Sequence, residues 1–350
     1  MSNPTRPARL LDLAAALPDH LELAIEATSH LPTLPSPTGL TSIVVLGMGS
    51  GRTAGRALAA IAGPRIALPI LVESSYAVPA WVGAGSLVFA VSGSGNTDEV
   101  NYAAAQAAEL GARVVAITAA GWLADFARDR GATFIAIPRE IEPARTAFGF
   151  TVAALISVLV QMGLLLPEAT AWISSAAAHL RRRRSQIESE AAKLATGLVD
   201  RHVTFQGDAR IGAVAAERWK AQFNQNARQP ASFSEQPNAS HNEVVAWDAL
   251  RREQVLNETV VLLRHPFEDA RVAQRLDQFA AYLNGKAPVH QIRGEGDTPL
   301  AALLDLTMMA DFTSLAVAAE RGVDPSSIPF ITTTLKEGIV PPEYHSRDSK

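Results

Sequence analysis

Short apolar runs alternate along this chain with longer stretches of helical periodicity. IVVLG at residues 43–47 is the first such run, and a helical pattern follows from about Thr53. LPILVE (68–73), SLVFAVS (86–92), RVVAIT (113–118) and TFIAI (133–137) repeat the theme. Unbroken apolar runs of this length suit strands covered on both faces, and helices of ten or more residues between them supply the crossovers parallel strands require. The rhythm restarts at HVTFQGD (202–208). It continues through TVVLLR (259–264), a helical stretch at 268–284 and PVHQI (288–292), and closes with a long helix from about Pro299 to Arg321. The pattern predicts an α/β protein of two sandwich domains, residues 1–165 and 166–350, the second opening with a linker helix.

Residues 148–166, FGFTVAALISVLVQMGLLL, need a separate reading, because they carry no formal charge and are nearly long enough to cross a bilayer. Gln161, Thr151, Ser157 and the glycines dilute the run and Pro167 ends it, which favours a buried core helix. The N-terminus carries Asp12 within its apolar stretch and reads as an amphipathic helix, not a signal peptide. The four arginines Arg181 to Arg184 are followed within two turns by Glu188 and Glu190, so a solvated helix face is expected there. With 350 residues, 48% hydrophobic, and a net charge of −4, the chain has material for two cores and no basic footprint for nucleic acid. The absence of cysteine excludes disulfides, thiolate catalysis and cysteine-type zinc sites, and fits a reducing cytoplasm without a membrane partner.

Two glycine loops carry the candidate chemistry. Gly47-Met48-Gly49-Ser50-Gly51 follows a strand and opens a helix. A dinucleotide fingerprint would need a third glycine where Arg52 stands and an acidic residue about 20 positions on. Tight turning and close helix–strand packing explain the same glycines without a ligand. Ser92-Gly93-Ser94-Gly95-Asn96-Thr97 also lies between a strand and a helix. Hydroxyls at 92, 94 and 97 beside free amides at a helix start form an anion cradle that needs no lysine. Helix capping by Ser94 or Asn96 is the alternative, but capping alone does not call for three hydroxyls and two glycines in six residues. The first domain, and by the repeated pattern the second, is therefore expected to hold a phosphate group.

With these loops in place the chain resembles the bifunctional phosphoglucose/phosphomannose isomerases, a family of SIS-domain sugar isomerases. The likeness rests on GMGSGRTAG (47–55), YAVPAW (76–81), SGSGNTDE (92–99), PARTAFG (143–149), Arg218-Trp219-Lys220 with Asn224-Gln225-Asn226-Ala227, Ser240-His241-Asn242-Glu243, and Asp311-Phe312-Thr313-Ser314. The resemblance implies two tandem SIS domains, each a parallel sheet sandwiched by helices, and a homodimer with a shared active site. It implies interconversion of glucose 6-phosphate or mannose 6-phosphate with fructose 6-phosphate through an enediolate, with no metal or cofactor. The eight histidines contain no i, i+4 pair, in keeping with that.

Such chemistry needs a phosphate cradle, an acid/base for ring opening, a base that moves a proton between C2 and C1, and a cation for the enediolate. Ser92, Ser94 and Thr97 match the family's hydroxyl loop, and Gly49, Ser50 and Gly51 fall in its first phosphate-binding loop, where the family's glycine-then-serine order appears here as Ser50-Gly51. His241 matches its ring-opening histidine and Arg145 the arginine facing the oxyanion; a surface histidine and a structural ion pair are their plain alternatives. Lys336 falls in a terminal helix where the family carries a lysine. The family's proton-transfer glutamate stands between two asparagines sixteen residues before the histidine, and here that position is Gln225. An amide has no usable basicity near neutral pH, so three readings stay open: an isomerase with a displaced base such as Glu235 or Glu243, a sugar-phosphate-binding protein without turnover, and different chemistry on a related phosphosugar.

Overall fold

The computed structural model describes residues 6–249 and 257–326. They form two compact units, an N-terminal one of residues 17–174 and a C-terminal one of residues 6–16 with 175–326.

After α1 (Arg6–Ala15), which belongs to the C-terminal unit, the N-terminal unit runs α2 (Leu17–Ser29), β1 (Ser42–Gly47), α3 (Ser50–Ala62), β2 (Ile70–Glu73), β3 (Ser86–Val91), α4 (Asp98–Glu109), β4 (Arg113–Thr118), α5 (Gly121–Arg130), β5 (Thr133–Ala136) and α6 (Phe148–Gln161). The strands form one parallel sheet in the order β2-β1-β3-β4-β5. Every residue of β1 and β3 is buried, as the unbroken apolar runs predict. Val44, Leu46, Val88 and Ala90 point to one face, where Ala104 of α4 and Leu123 and Phe126 of α5 cover them. On the other face α6 packs against α2 and α3. Phe148 through Leu159 are all buried, which makes this uncharged segment a core helix. It stops at Gln161 because Gly163 turns left-handed (φ 69°) and the Leu164 amide folds back onto the Leu159 carbonyl.

The C-terminal unit continues with the long α7 (Glu168–Thr196), within which the chain passes from one unit to the other, then β6 (His202–Asp208), α8 (Ile211–Gln222), β7 (Ala231–Gln236), α9 (Glu243–Ala249), β8 (Glu258–Arg264), α10 (Ala270–Leu283), β9 (Val289–Arg293) and α11 (Pro299–Glu320). Its sheet is again parallel, ordered β7-β6-β8-β9. α9 and α10 cover Val260 and Leu262 with Trp247, Leu276, Phe279 and Leu283. On α8, Trp219 is fully buried, with its Nε1 donating to the Leu306 carbonyl of α11 at 2.9 Å. β7 goes unannounced in the sequence: ASFSEQ has no apolar run, because it lies at a sheet edge where five of its six residues are only half-buried.

The arginine run on α7 is not wholly solvated. Arg181, Arg182 and Arg184 are exposed, but Arg183 turns inward. Its Nε meets Asp305 at 3.2 Å and its Nη1 meets Glu295 at 3.0 Å, and Asp305 also holds His179 at 2.9 Å. Burial alone would lower the Arg183 pKa, but these carboxylates raise it, so the guanidinium stays charged inside the unit.

Candidate active site

Every cradle residue foreseen in the sequence lies at the carboxyl edge of the N-terminal sheet. Met48, Ser50, Gly51, Ser92, Ser94 and Thr97 line one cavity of about 80 Å³. The Ser92 hydroxyl accepts from the Gly95 amide at 3.0 Å and shares a 2.8 Å hydrogen bond with the Thr97 hydroxyl. The Ser94 hydroxyl accepts from the Asn96 amide at 3.2 Å. Thr97 is the N-cap of α4, and no side chain caps the helix. Asn96 turns away, its Oδ1 accepting from the Trp122 amide at 3.0 Å. Amides at the start of α4 thus carry no side-chain cap, and the hydroxyls stand beside them. Gly95 makes the loop possible: it sits at φ 71°, and a Cβ there would lie 1.6 Å from the Ala120 carbonyl oxygen. Gly49, the N-cap of α3, likewise has φ 50°. Burial, and then Glu99, raise the pKa of Asp98 in the first turn of α4.

The remaining wall is the short helical turn Ala144–Ala147. Ser50 ties this turn to the first loop by donating to the Ala144 carbonyl at 3.0 Å. Ala144 and Ala147 line the cavity, whereas Arg145 does not and is 6% exposed. Residues three apart share a face in a 3₁₀ turn, so 144 and 147 face the cavity together and 145 falls on another side. Thr151, one turn into α6, completes the wall; sequence reasoning missed it because it sat within the apolar run. Beneath the turn lies His20 of α2, 3% exposed and hydrogen-bonded to the Thr146 backbone. Burial lowers its pKa to about 4, outweighing Asp19 and that hydrogen bond.

In the C-terminal unit α8 ends in a π-helical turn, Phe223–Ala227, that contains Gln225. Such wide turns are rare and frequent at functional sites. Asn226 points inward to Ser314 at 3.0 Å while Gln225 remains half-buried. The turn rests on a buried polar net: Arg218 Nη2 lies 2.9 Å from Asp311 Oδ1, and Gln222 Nε2 donates to the same oxygen at 2.5 Å. Phe223 packs against Phe205 with ring centroids 5.0 Å apart. The side-chain oxygen of Asn224 is buried without a partner among the described residues. His241 is exposed and ends the turn Asn238–His241, which follows β7.

Gln225 and His241 lie at opposite ends of β7. Gln229, just beyond the π turn, bonds residues Leu198, Asp200 and Arg201 ahead of β6, at the amino edge of the sheet. Beyond the carboxyl edge, Glu243 accepts from Gln206 and Ser240 bonds Gln236. Six strand residues, about 20 Å, separate the two ends, so within one chain these candidates do not meet. Glu235 and Glu243 stand at the His241 end. Lys336 lies outside the described residues.

The C-terminal unit has no second cradle of this kind after β6. Asp208 Oδ1 accepts from the Gly212 amide in the first turn of α8 at 2.5 Å and meets His265 Nε2 at 2.8 Å. The place an anion would take is filled by the chain's own carboxylate. The expectation of a phosphate group in both domains is therefore corrected to the N-terminal unit for this loop.

Two parallel sheets wrapped by helices, one with hydroxyls set at a helix start, define the SIS class of sugar-phosphate proteins. Residues 187–339 match the family model of the bacterial phospho-glucose isomerase C-terminal SIS domain. The C-terminal domain of glucosamine-fructose-6-phosphate aminotransferase from Francisella tularensis shares the fold, with a TM-score of 0.71 at 13% identity over 90% of this chain and 97% of that one. A bifunctional phosphoglucose/phosphomannose isomerase of Caldicellulosiruptor bescii is 30% identical over 323 residues, 89% of this chain and 94% of its relative. One from Aquifex aeolicus is 29% identical over 272 residues, 77% of this chain and 81% of that protein. The chain belongs to the bifunctional phosphoglucose/phosphomannose isomerase family.

Proposed function

We propose that the chain is an aldose–ketose isomerase of hexose 6-phosphates, converting glucose 6-phosphate or mannose 6-phosphate to fructose 6-phosphate through an enediolate. The observation that carries this reading is the cradle, where Ser92, Ser94 and Thr97 surround uncapped amides at the start of α4. A phosphoryl group there gains charge-assisted hydrogen bonds from amides and hydroxyls together. His241 opens the sugar ring. The length of β7 between Gln225 and His241 supports a site shared by two copies of the chain, each contributing one of the two ends. In that arrangement Glu235 or Glu243 arrives with the partner's histidine edge and supplies the carboxylate that Gln225 does not.

Gln225 also favours a second reading, a sugar-phosphate-binding protein that has lost its base. The deciding experiment is a coupled assay of fructose 6-phosphate formation by the wild type and by Gln225→Glu, with deuterium exchange at substrate C2. The isomerase reading expects measurable wild-type turnover and exchange, and a further rise in kcat in the variant. Turnover confined to the variant, higher by the roughly 10²–10⁴-fold that a general base contributes, establishes the binding protein instead.

A further inference from the structure

At the opposite edge of the N-terminal sheet, where β4 and β5 begin, a second cavity of about 370 Å³ opens. Its apolar floor includes Leu34, Pro35, Val114 and Phe126. Two arginines, Arg113 and Arg130, line it as well. Arg113 donates through Nη1 to the Ser36 carbonyl. Arg130 lies over the Phe126 ring, 5.6 Å from its centroid, and its Nε is buried without a hydrogen-bond acceptor. Among the described residues neither arginine is paired with a carboxylate. Arg128, on the same helix end, shows the contrast: it stacks on Phe134 but also meets Asp125 at 2.6 Å. A cation in the last turn of α5 complements the helix dipole, but that accounts for charge alone and leaves the buried Nε–H unsatisfied.

We propose that this cavity binds a small organic anion, a carboxylate or phosphate ester of metabolite size. Its charged group lies between Arg113 and Arg130, and its carbon skeleton rests on Phe126, Val114 and Leu34. The Arg130 guanidinium, which has no carboxylate partner among the described residues, offers at its terminal nitrogens the donors that such groups accept. The volume suits a small ligand rather than a lone ion. The six residues of β4, about 20 Å, separate this cavity from the sugar-phosphate cradle, so the two ligands bind together without competing.

Calorimetry on the full chain with citrate and with 3-phosphoglycerate, using glycerol as the uncharged control, tests the assignment. Both anions are expected to bind and glycerol not to. Arg130→Gln should weaken binding at least about tenfold. Ala112→Leu, which fills the cavity and leaves both arginines, should do the same, whereas Ser94→Asp in the cradle should not. A wild-type readout needs no variant: citrate should slow phenylglyoxal modification of Arg130, followed by peptide mass spectrometry. Equal modification with and without citrate overturns the proposal. So does anion binding that Ser94→Asp abolishes and Arg130→Gln leaves intact.

Discussion

In the N-terminal unit Gly47 ends β1 against Gly51 in the first turn of α3; in the C-terminal unit Gly207, near the end of β6, lies against Gly212 in the first turn of α8. A Cβ on Gly47 would stand 2.6 Å from the Gly51 carbonyl carbon, and one on Gly207 2.5 Å from that of Gly212. The joint between strand and helix is the same in both. What differs is the side chain placed beside it. The N-terminal unit sets Ser50 there, with Ser92, Ser94 and Thr97 on the neighbouring strand–helix turn, and leaves a cavity. The C-terminal unit sets Asp208, which bonds the helix amide itself and takes His265 as its hydrogen-bond partner. The glycines thus specify packing, and the residues next to them decide whether the positive end of a helix is offered to a ligand or satisfied internally.

If the joints are equivalent, Gly47→Ala and Gly207→Ala should be the most damaging changes considered, each costing about 3 kcal/mol or more, because in both cases the new methyl meets backbone that cannot yield. Urea denaturation of the two variants measures this. A large loss in one and none in the other would end the equivalence.

Acid should next separate the units. Buried His20 in the N-terminal unit has no carboxylate hydrogen bond, whereas His179 and His265 in the C-terminal unit each lie on an aspartate. The folded pKa of His20 is about 4, against an ordinary 6.5. Between those values the unfolded chain binds the proton and the folded chain does not, so stability is full above about pH 6.5 and falls as pH drops toward 4. The loss reaches roughly 3 kcal/mol. Hydrogen exchange should show α2, α6 and the Ala144–Ala147 turn opening before β6 and β8, and His20→Gln should flatten the slope. Simultaneous opening of both units, or an unchanged slope in the variant, contradicts this account.

The same comparison explains what could be read from the chain before folding. Strands β1, β3, β4 and β8 were legible because burial on both faces demands apolar runs. The cradle was legible because its hydroxyls, glycines and helix start are neighbours in sequence. Asp208 was not: in QGD it looks like a strand end, and its role depends on His265, 57 residues further on. Arg183 was lost in an arginine run because its partner Asp305 is 122 residues away. The sixteen-residue spacing of Gln225 and His241 matched the family's pattern but did not reveal that the chain turns at the π-helical end of α8 and crosses the whole of β7 between them.

Giving the cradle the C-terminal unit's solution should close it. Ser94→Asp places a carboxylate where the phosphoryl group is to sit, and should weaken hexose 6-phosphate binding about 100-fold through like-charge repulsion. Ser94 is exposed, so the melting temperature without ligand should hardly change. Calorimetry with fructose 6-phosphate reads the first and a thermal melt the second; undiminished affinity would remove Ser94 from the cradle.

The reverse exchange is the smallest and the most discriminating. Asp208→Ser keeps a hydroxyl acceptor near the Gly212 amide but takes away the partner of His265, whose side chain is fully buried. A lost buried partner of this kind costs about 1–3 kcal/mol, read by denaturation. Hexose 6-phosphate affinity should stay within about twofold, since uniform loss of stability without loss of ligand is what a purely structural carboxylate predicts. The C-terminal helix end would then carry a hydroxyl and free amides, the same elements as the cradle but without its second loop. If that edge still fails to take up inorganic phosphate, a helix start and one hydroxyl are insufficient, and the two adjacent strand–helix turns of the N-terminal unit, closed by the Ala144–Ala147 turn, are what make the site. Phosphate binding gained by this single change would show instead that Asp208 alone separates the two units.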